Sequence, residues 1–289
     1  MRANTAAILA DSRCSIGEFT TKARPTPHKW AHIRTQTPRE MLALSAQHAR
    51  SDNERSWSGS GTKWQGLGAQ SVESLDASGI AEHARDALKN ASATLSHTPN
   101  RPGKVQPAIV GGSWSVPAVL ANLPLAARAR VRNRLPPVNL KIVLAWSASV
   151  SDETVTPVFA KLSHAIWAYT LAGGAVDLRV YALGFLCRSS VGAKGLIAES
   201  RVPAADISQL ALGLSAPYFR AITGPLCTAL SDEESDSIMV PQESDNPIPG
   251  SIYIGGRTAS GDIAISPVGA LDSLKIMSPR EGFSLPPYR

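Results

Sequence analysis

The clearest pattern in this chain of 289 residues lies at its middle. Residues 139–146, Asn-Leu-Lys-Ile-Val-Leu-Ala-Trp, are a short apolar run with β-branched positions, which predicts a buried strand. A hydroxyl-rich loop follows, Ser147, Ala148, Ser149, Val150, Ser151. Ser151 or Asp152 can then cap a helix that starts at Glu153 or Pro157 and reaches Ala172. Its apolar positions Val158, Leu162, Ala165, Ile166 and Leu171 keep helical period. Gly173-Gly174 suits the helix end, and residues 176–185 form a second apolar run. Strand, crossover helix, strand is the βαβ unit of a parallel sheet.

The flanks are less regular. Residues 203–230 read as helical, divided near Pro217. Residues 231–250 are acidic and rich in breakers, the pattern of a solvated surface loop. Residues 251–254 form a short strand ended by Gly255-Gly256, and a short helix fits near 271–277. Upstream, residues 105–110 predict a strand and residues 116–122 a helix. Residues 70–95 fit two short helices interrupted at Gly79, and Pro99, Pro102 and Gly103 mark a linker. Trp57 and Trp64 sit among Gly and Ser in a loop whose rings would either anchor it to the α/β domain or stack on a sugar or base. Residues 1–56 are polar, with Pro25, Pro27 and Pro38. One helix is predicted there, over residues 39–50, with Thr37 as N-cap and Pro38 in its first position. The rest of that stretch reads as extended or disordered.

Arg128, Arg130, Arg132 and Arg134 alternate with other residues. In a strand they would share one face and make an anion-facing stripe. In a helix they would spread around the axis. Ala126-Ala127 favours the helix and Pro136-Pro137 an extended exit, so both readings stand.

Charge adds an asymmetry. Residues 1–140 hold 18 Lys/Arg against 9 Asp/Glu, whereas residues 141–289 hold 11 against 14. A basic half is either a nucleic-acid contact or a solvated arm. A hydrophobic fraction of 43% allows a sizeable core over part of the length. No window reaches the roughly 18 apolar residues of a membrane span, and the run at residues 5–10 is too short for a signal peptide. Cys14, Cys187 and Cys227 lack metal-ligand spacing and read as buried thiols of a reducing compartment.

The common catalytic signatures are missing. Gly192-Ala-Lys194-Gly195 lacks the Lys-Ser/Thr order of a phosphate loop, and Gly-x-Ser-x-Gly does not occur. His28 and His32 are four apart, but Pro25 and Pro27 argue against a chelating helix. His164 reads as a packed helix residue, and Glu233-Glu234 as solvated loop charges.

The βαβ unit resembles von Willebrand factor A-type domains, whose first strand ends in an Asp-x-Ser-x-Ser loop that binds a divalent ion. The matching stretch here is Trp146-Ser147-Ala148-Ser149, continued by Val150-Ser151, with Gly173-Gly174-Ala-Val-Asp177 as the turn into the second strand. More broadly, the order of weak motifs over residues 55–275 resembles an uncharacterised family of phage- and plasmid-encoded proteins with a degenerate A-type domain. Those motifs include the Trp57 loop, Val116-Pro117-Ala118 and Pro217-Tyr-Phe-Arg220. The resemblance implies no established activity. Trp146 stands where a carboxylate should anchor the ion, so the metal site is expected to be lost.

The resulting expectation is an α/β protein with a Rossmann-like, A-type, mostly parallel sheet flanked by helices over residues 105–280. Residues 1–56 form a polar arm, residues 57–104 a helical and loop extension, and residues 281–289 a tail. The expected function is non-catalytic binding or adaptor work, without cofactor, metal or membrane. Ser147, Ser149, Ser151 and Asp177 would line a protein-binding surface at the C-terminal edge of the sheet. The rivals are a viral assembly component and a nucleic-acid-associated protein using the arginine stripe. The host cytoplasm or a virion would be its location.

Overall fold

In the central strand β6 (Val138–Trp146), alternation divides the molecule into two faces. Leu140, Ile142, Leu144 and Trp146 enter one core, and Val143 and Ala145 enter another. The computed structural model describes residues 3–23, 25–48, 104–108, 113–114, 127–131, 137–146, 150, 152–171, 174–186, 195–230, 238–239, 241–256 and 264–266.

The βαβ unit forms as the pattern predicts. Strand β6 leads to helix α3 (Asp152–Leu171) and strand β7 (Val176–Leu186), which pairs with β6 in parallel from Val138↔Val176 to Leu144↔Ala182. Gly174 closes the helix: its N–H donates to Tyr169 O at 3.0 Å. A side chain at Gly174 would collide with the Tyr169 ring, so this close approach requires glycine.

Six further strands complete the sheet. They are β1 (Cys14–Phe19), β2 (His28–Thr35), β8 (Gly195–Pro203), β9 (Ile238–Met239), β10 (Ile252–Gly256) and β11 (Ala264–Ser266). The order is β1-β2-β8-β7-β6-β10-β11, with β9 on β7. Pairs β2–β8, β6–β7 and β6–β10 are parallel; β1–β2, β7–β8, β7–β9 and β10–β11 are antiparallel. The protein is therefore of the α/β class, built on a mixed sheet with helices.

The remaining described helices are α1 (Ala3–Ala10), α2 (Pro38–His48), α4 (Ile207–Gly213) and α5 (Ala216–Leu230). All five contribute to the core shared with Leu140, Ile142 and Leu144. The opposite core is formed by Trp30, Val143, Ala145, Tyr181, Leu183, Phe185, Ile197, Ile248 and Tyr253, without a helical residue among those described. The described helices thus flank one face of the sheet rather than both. None of them is long and apolar enough to cross a membrane.

Three expectations change. First, the described part of residues 1–56 is not a separate polar arm. The predicted helix is present as α2, with Thr37 Oγ1 accepting from the Glu40 N–H at 3.2 Å. Strand β2, however, is an inner strand of the main sheet, paired with β8 from Trp30↔Gly195 to Thr35↔Ser200. Its Ala31 and Ile33 enter the helix-side core while His32 and Arg34 face the other way, so half of its residues look solvated in sequence. Helix α2 is fixed to α5 by Ser45 Oγ, which donates to Ala221 O at 2.8 Å. Second, the described part of the acidic segment packs. Pro241, Pro247 and Ile248 are buried, β9 pairs with β7, and Tyr253 OH donates to Pro241 O at 2.7 Å. Third, residues 195–203, to which sequence assigns nothing, are β8.

A second sheet has the order β3-β5-β4, from β3 (Lys104–Ala108), β4 (Ser113–Trp114) and β5 (Ala127–Val131), all antiparallel. The predicted elements at 57–95, 116–122 and 271–277 lie outside the described residues.

Capping and burial give two direct tests. Asp206 caps α4, its carboxylate accepting from the N–H groups of Ser208 at 2.9 Å and Gln209 at 3.3 Å. Asp206→Ala should lower stability by about 1 kcal/mol in urea unfolding. Cys227 is fully buried, which pushes its thiol pKa up, and burial together with the Asp11 charge pushes Cys14 up to about 11. Both thiols should therefore stay unmodified by iodoacetamide at pH 7.5 in the native protein and react on unfolding, as read by peptide mass mapping.

Candidate binding site at the end of the central strand

Topology places the candidate site. From β6 the chain crosses to β7 on one side; after β8, α4 and α5 it reaches β10 on the other. Both neighbours run parallel to β6. This is a topological switch point, and in open α/β sheets ligands gather outside the C-terminal strand ends at such a point. The end of β6 carries Trp146, followed by the serine loop and the start of α3.

Trp146 is fully buried. Its ring centroid lies 4.1 Å from that of Phe219 and 5.6 Å from that of Phe159. The indole therefore fills the helix-side core instead of facing the strand-end crevice. Beside it, Arg220 of α5 is buried, and its Nη2 donates to Val150 O at 2.8 Å. A cation thus holds the backbone carbonyl of Val150. The described side chains at this strand end are thus a core aromatic and a guanidinium, neither of which is a hard-oxygen ligand for a divalent ion. Among the described residues, no three His, Cys, Asp or Glu side chains group to hold a metal.

Ser147, Ser149 and Ser151 lie outside the described residues. Asp177 does not join this site. It pairs with Asn139 at the start of β6, seven residues from Trp146, or about 23 Å at roughly 3.3 Å per residue. It therefore belongs to the opposite end of the sheet. Arg128 and Arg130 lie in β5, so the strand reading holds for them, in the second sheet; Arg132 and Arg134 lie outside the described residues.

Asp177 instead joins a charged cluster on the face away from the helices. In register, Lys141 of β6 stands opposite Arg179 of β7, which stands opposite Arg201 of β8. Three cations therefore form one row across three strands, an arrangement that is unfavourable by itself. Carboxylates flank the row on both sides. Asp177 accepts from Arg201 Nε at 3.2 Å and lies 3.5 Å from Arg179 Nη2. Glu199 accepts from Arg179 Nη1 at 3.1 Å and lies 3.5 Å from Arg34 Nε.

His32 completes the cluster. Its Nε2 lies 2.8 Å from Glu199 Oε2, and its Nδ1 lies 3.1 Å from Arg34 Nη2. Arginine can only donate, so Nδ1 accepts and Nε2 carries the proton given to Glu199. The hydrogen bond from His32 holds the Glu199 carboxyl below the usual glutamate range against the opposing effect of burial, and the charge and hydrogen bond of Arg179 add to it. The sequence carried a signal for this cluster. His32/Arg34, Asp177/Arg179 and Glu199/Arg201 are each polar pairs two residues apart, the strand period. Compared with protein-family models, curated proteins and solved structures, the chain gives no match.

Proposed function

We propose that this chain is a non-catalytic binding or adaptor protein of a phage or related mobile element, built on a degenerate A-type domain. Its protein partner docks at the C-terminal end of β6, on the loop carrying Ser147, Ser149 and Ser151. The observation that carries this reading is Trp146: its indole is packed against Phe219 and Phe159 at the position where ion-dependent chemistry needs an exposed carboxylate. The switch-point topology supports the location.

Two measurements test it. A photo-crosslinking residue at position 149 should give a discrete protein adduct in the producing cell, and the same residue at position 177, at the far end of the sheet, should not. No adduct from 149, or equal adducts from both, would remove the reading. Mg²⁺ or Mn²⁺ should leave the melting temperature unchanged, whereas a saturable rise would restore the metal site.

A further inference from the structure

The row Lys141–Arg179–Arg201, extended by Arg34 on the next strand, gathers four cationic side chains on one face of the sheet. We propose that it is a polyanion-binding strip that fits the phosphodiester backbone of nucleic acid. This strip is independent of the partner site at the end of β6.

Charge is layered here. Arg34, Arg179 and Arg201 side chains are 64%, 42% and 62% exposed, while Asp177 and Glu199 are 32% and 12% exposed. The carboxylates thus lie beneath and hold the guanidinium stems, and the cationic groups form the outer surface. A guanidinium has five N–H donors. The contacts described above use two nitrogens of Arg34, two of Arg179 and one of Arg201. Lys141 adds an ammonium that touches only Pro249 O, at 3.5 Å, among the contacts described. Among the contacts described, four cations stand against two carboxylates, which leaves the strip an excess of positive charge.

Spacing and flatness select the ligand. Neighbouring strands lie about 4.8 Å apart, so Lys141, Arg179 and Arg201 span about 10 Å and Arg34 extends the strip by one strand. A backbone of closely spaced phosphates can engage such a row, and arginine forks match phosphate oxygens. An acidic protein partner would also need an apolar anchor at the centre of its interface. On this face Trp30, Tyr181, Phe185 and Tyr253 are all buried, which leaves charge as the means of recognition. Nucleic-acid backbones are held mainly through such Arg and Lys contacts, and binding here would be independent of sequence.

The test is fluorescence anisotropy with the full chain, a labelled 20-nucleotide oligothymidine and a labelled 20-base-pair duplex, from 50 to 200 mM NaCl. Wild type should bind at least one of them, with log affinity falling linearly against log salt. Each lost phosphate contact lowers the slope by about 0.7 on a single strand and about 0.9 on a duplex. Arg179→Gln/Arg201→Gln should therefore flatten the slope by about 1.4 to 1.8 and weaken binding at least about tenfold. Because those arginines also neutralise Asp177 and Glu199, Lys141→Gln serves as a second variant without that role; it should flatten the slope by about 0.7 to 0.9. Unchanged slopes in both variants, no binding at 50 mM salt, or tighter binding of poly-glutamate than of either oligonucleotide would each overturn the proposal, the last in favour of an acidic protein.

Discussion

Trp146→Ala should lower the unfolding free energy by about 3–5 kcal/mol, the range for truncating a large buried aromatic side chain. Domains of ordinary stability have only about 5–15 kcal/mol in total, so this single change removes a large share. The cause is local. Trp146 is fully buried, its ring lies against Phe219 of α5 and Phe159 of α3, and it ends the central strand. Alanine leaves a cavity where β6, α3 and α5 meet, and close-packed neighbours relax into it only in part. Trp146→Phe keeps most of the contact. It also loses no hydrogen bond among the described residues, because Trp146 Nε1 has no partner there. Its cost should stay under about 1.5 kcal/mol. Trp146→Asp should be at least as damaging as alanine, since it buries a carboxylate in the same place. Urea unfolding of the three variants checks the series. An alanine variant within about 1 kcal/mol of wild type would show that the indole is not part of a close-packed core.

The fold was legible where burial is two-sided. Strands β6 and β7 have apolar residues on both faces, so their sequences are nearly continuous apolar runs and the predicted bounds agree to within a residue or two. Strands β2 and β8 carry charge on one face. His-Lys-Trp-Ala-His-Ile-Arg-Thr and Gly-Leu-Ile-Ala-Glu-Ser-Arg-Val-Pro therefore read as mixed segments, although their alternation is that of strands. Their pairing also joins residues about 165 positions apart, which no local window contains. The C-terminal end of β6 was singled out by topology alone. Asp177 was misplaced for a reason that the same topology supplies. In a parallel βαβ unit, the first residues of the second strand lie level with the start of the first strand, not with its end.

Glu199, whose strand the local pattern did not single out, is where the second large effect is expected. Glu199→Ala should cost about 3 kcal/mol at pH 7, because it leaves His32, Arg34 and Arg179 without their shared acceptor in a partly buried site. Arg34 and Arg179 are exposed enough to turn to water, so most of this cost comes from His32, whose side chain is 7% exposed. Glu199→Gln retains an acceptor oxygen for His32 and should recover part of the loss. The pH dependence separates charge from packing. The folded-state pKa of Glu199 is depressed below the ordinary 4.5. Its stabilising contribution is therefore complete above about pH 4.5 and fades as pH falls through the folded-state value, because the unfolded chain takes up the proton first. The stability gap between wild type and Glu199→Gln should accordingly be largest near neutrality and narrow in acid. Urea midpoints at pH 7, 5 and 4 would show this. A gap that stays constant over that range would mean that Glu199 acts through shape, leaving the His32 imidazole and the two guanidinium groups to hold their positions by some other means.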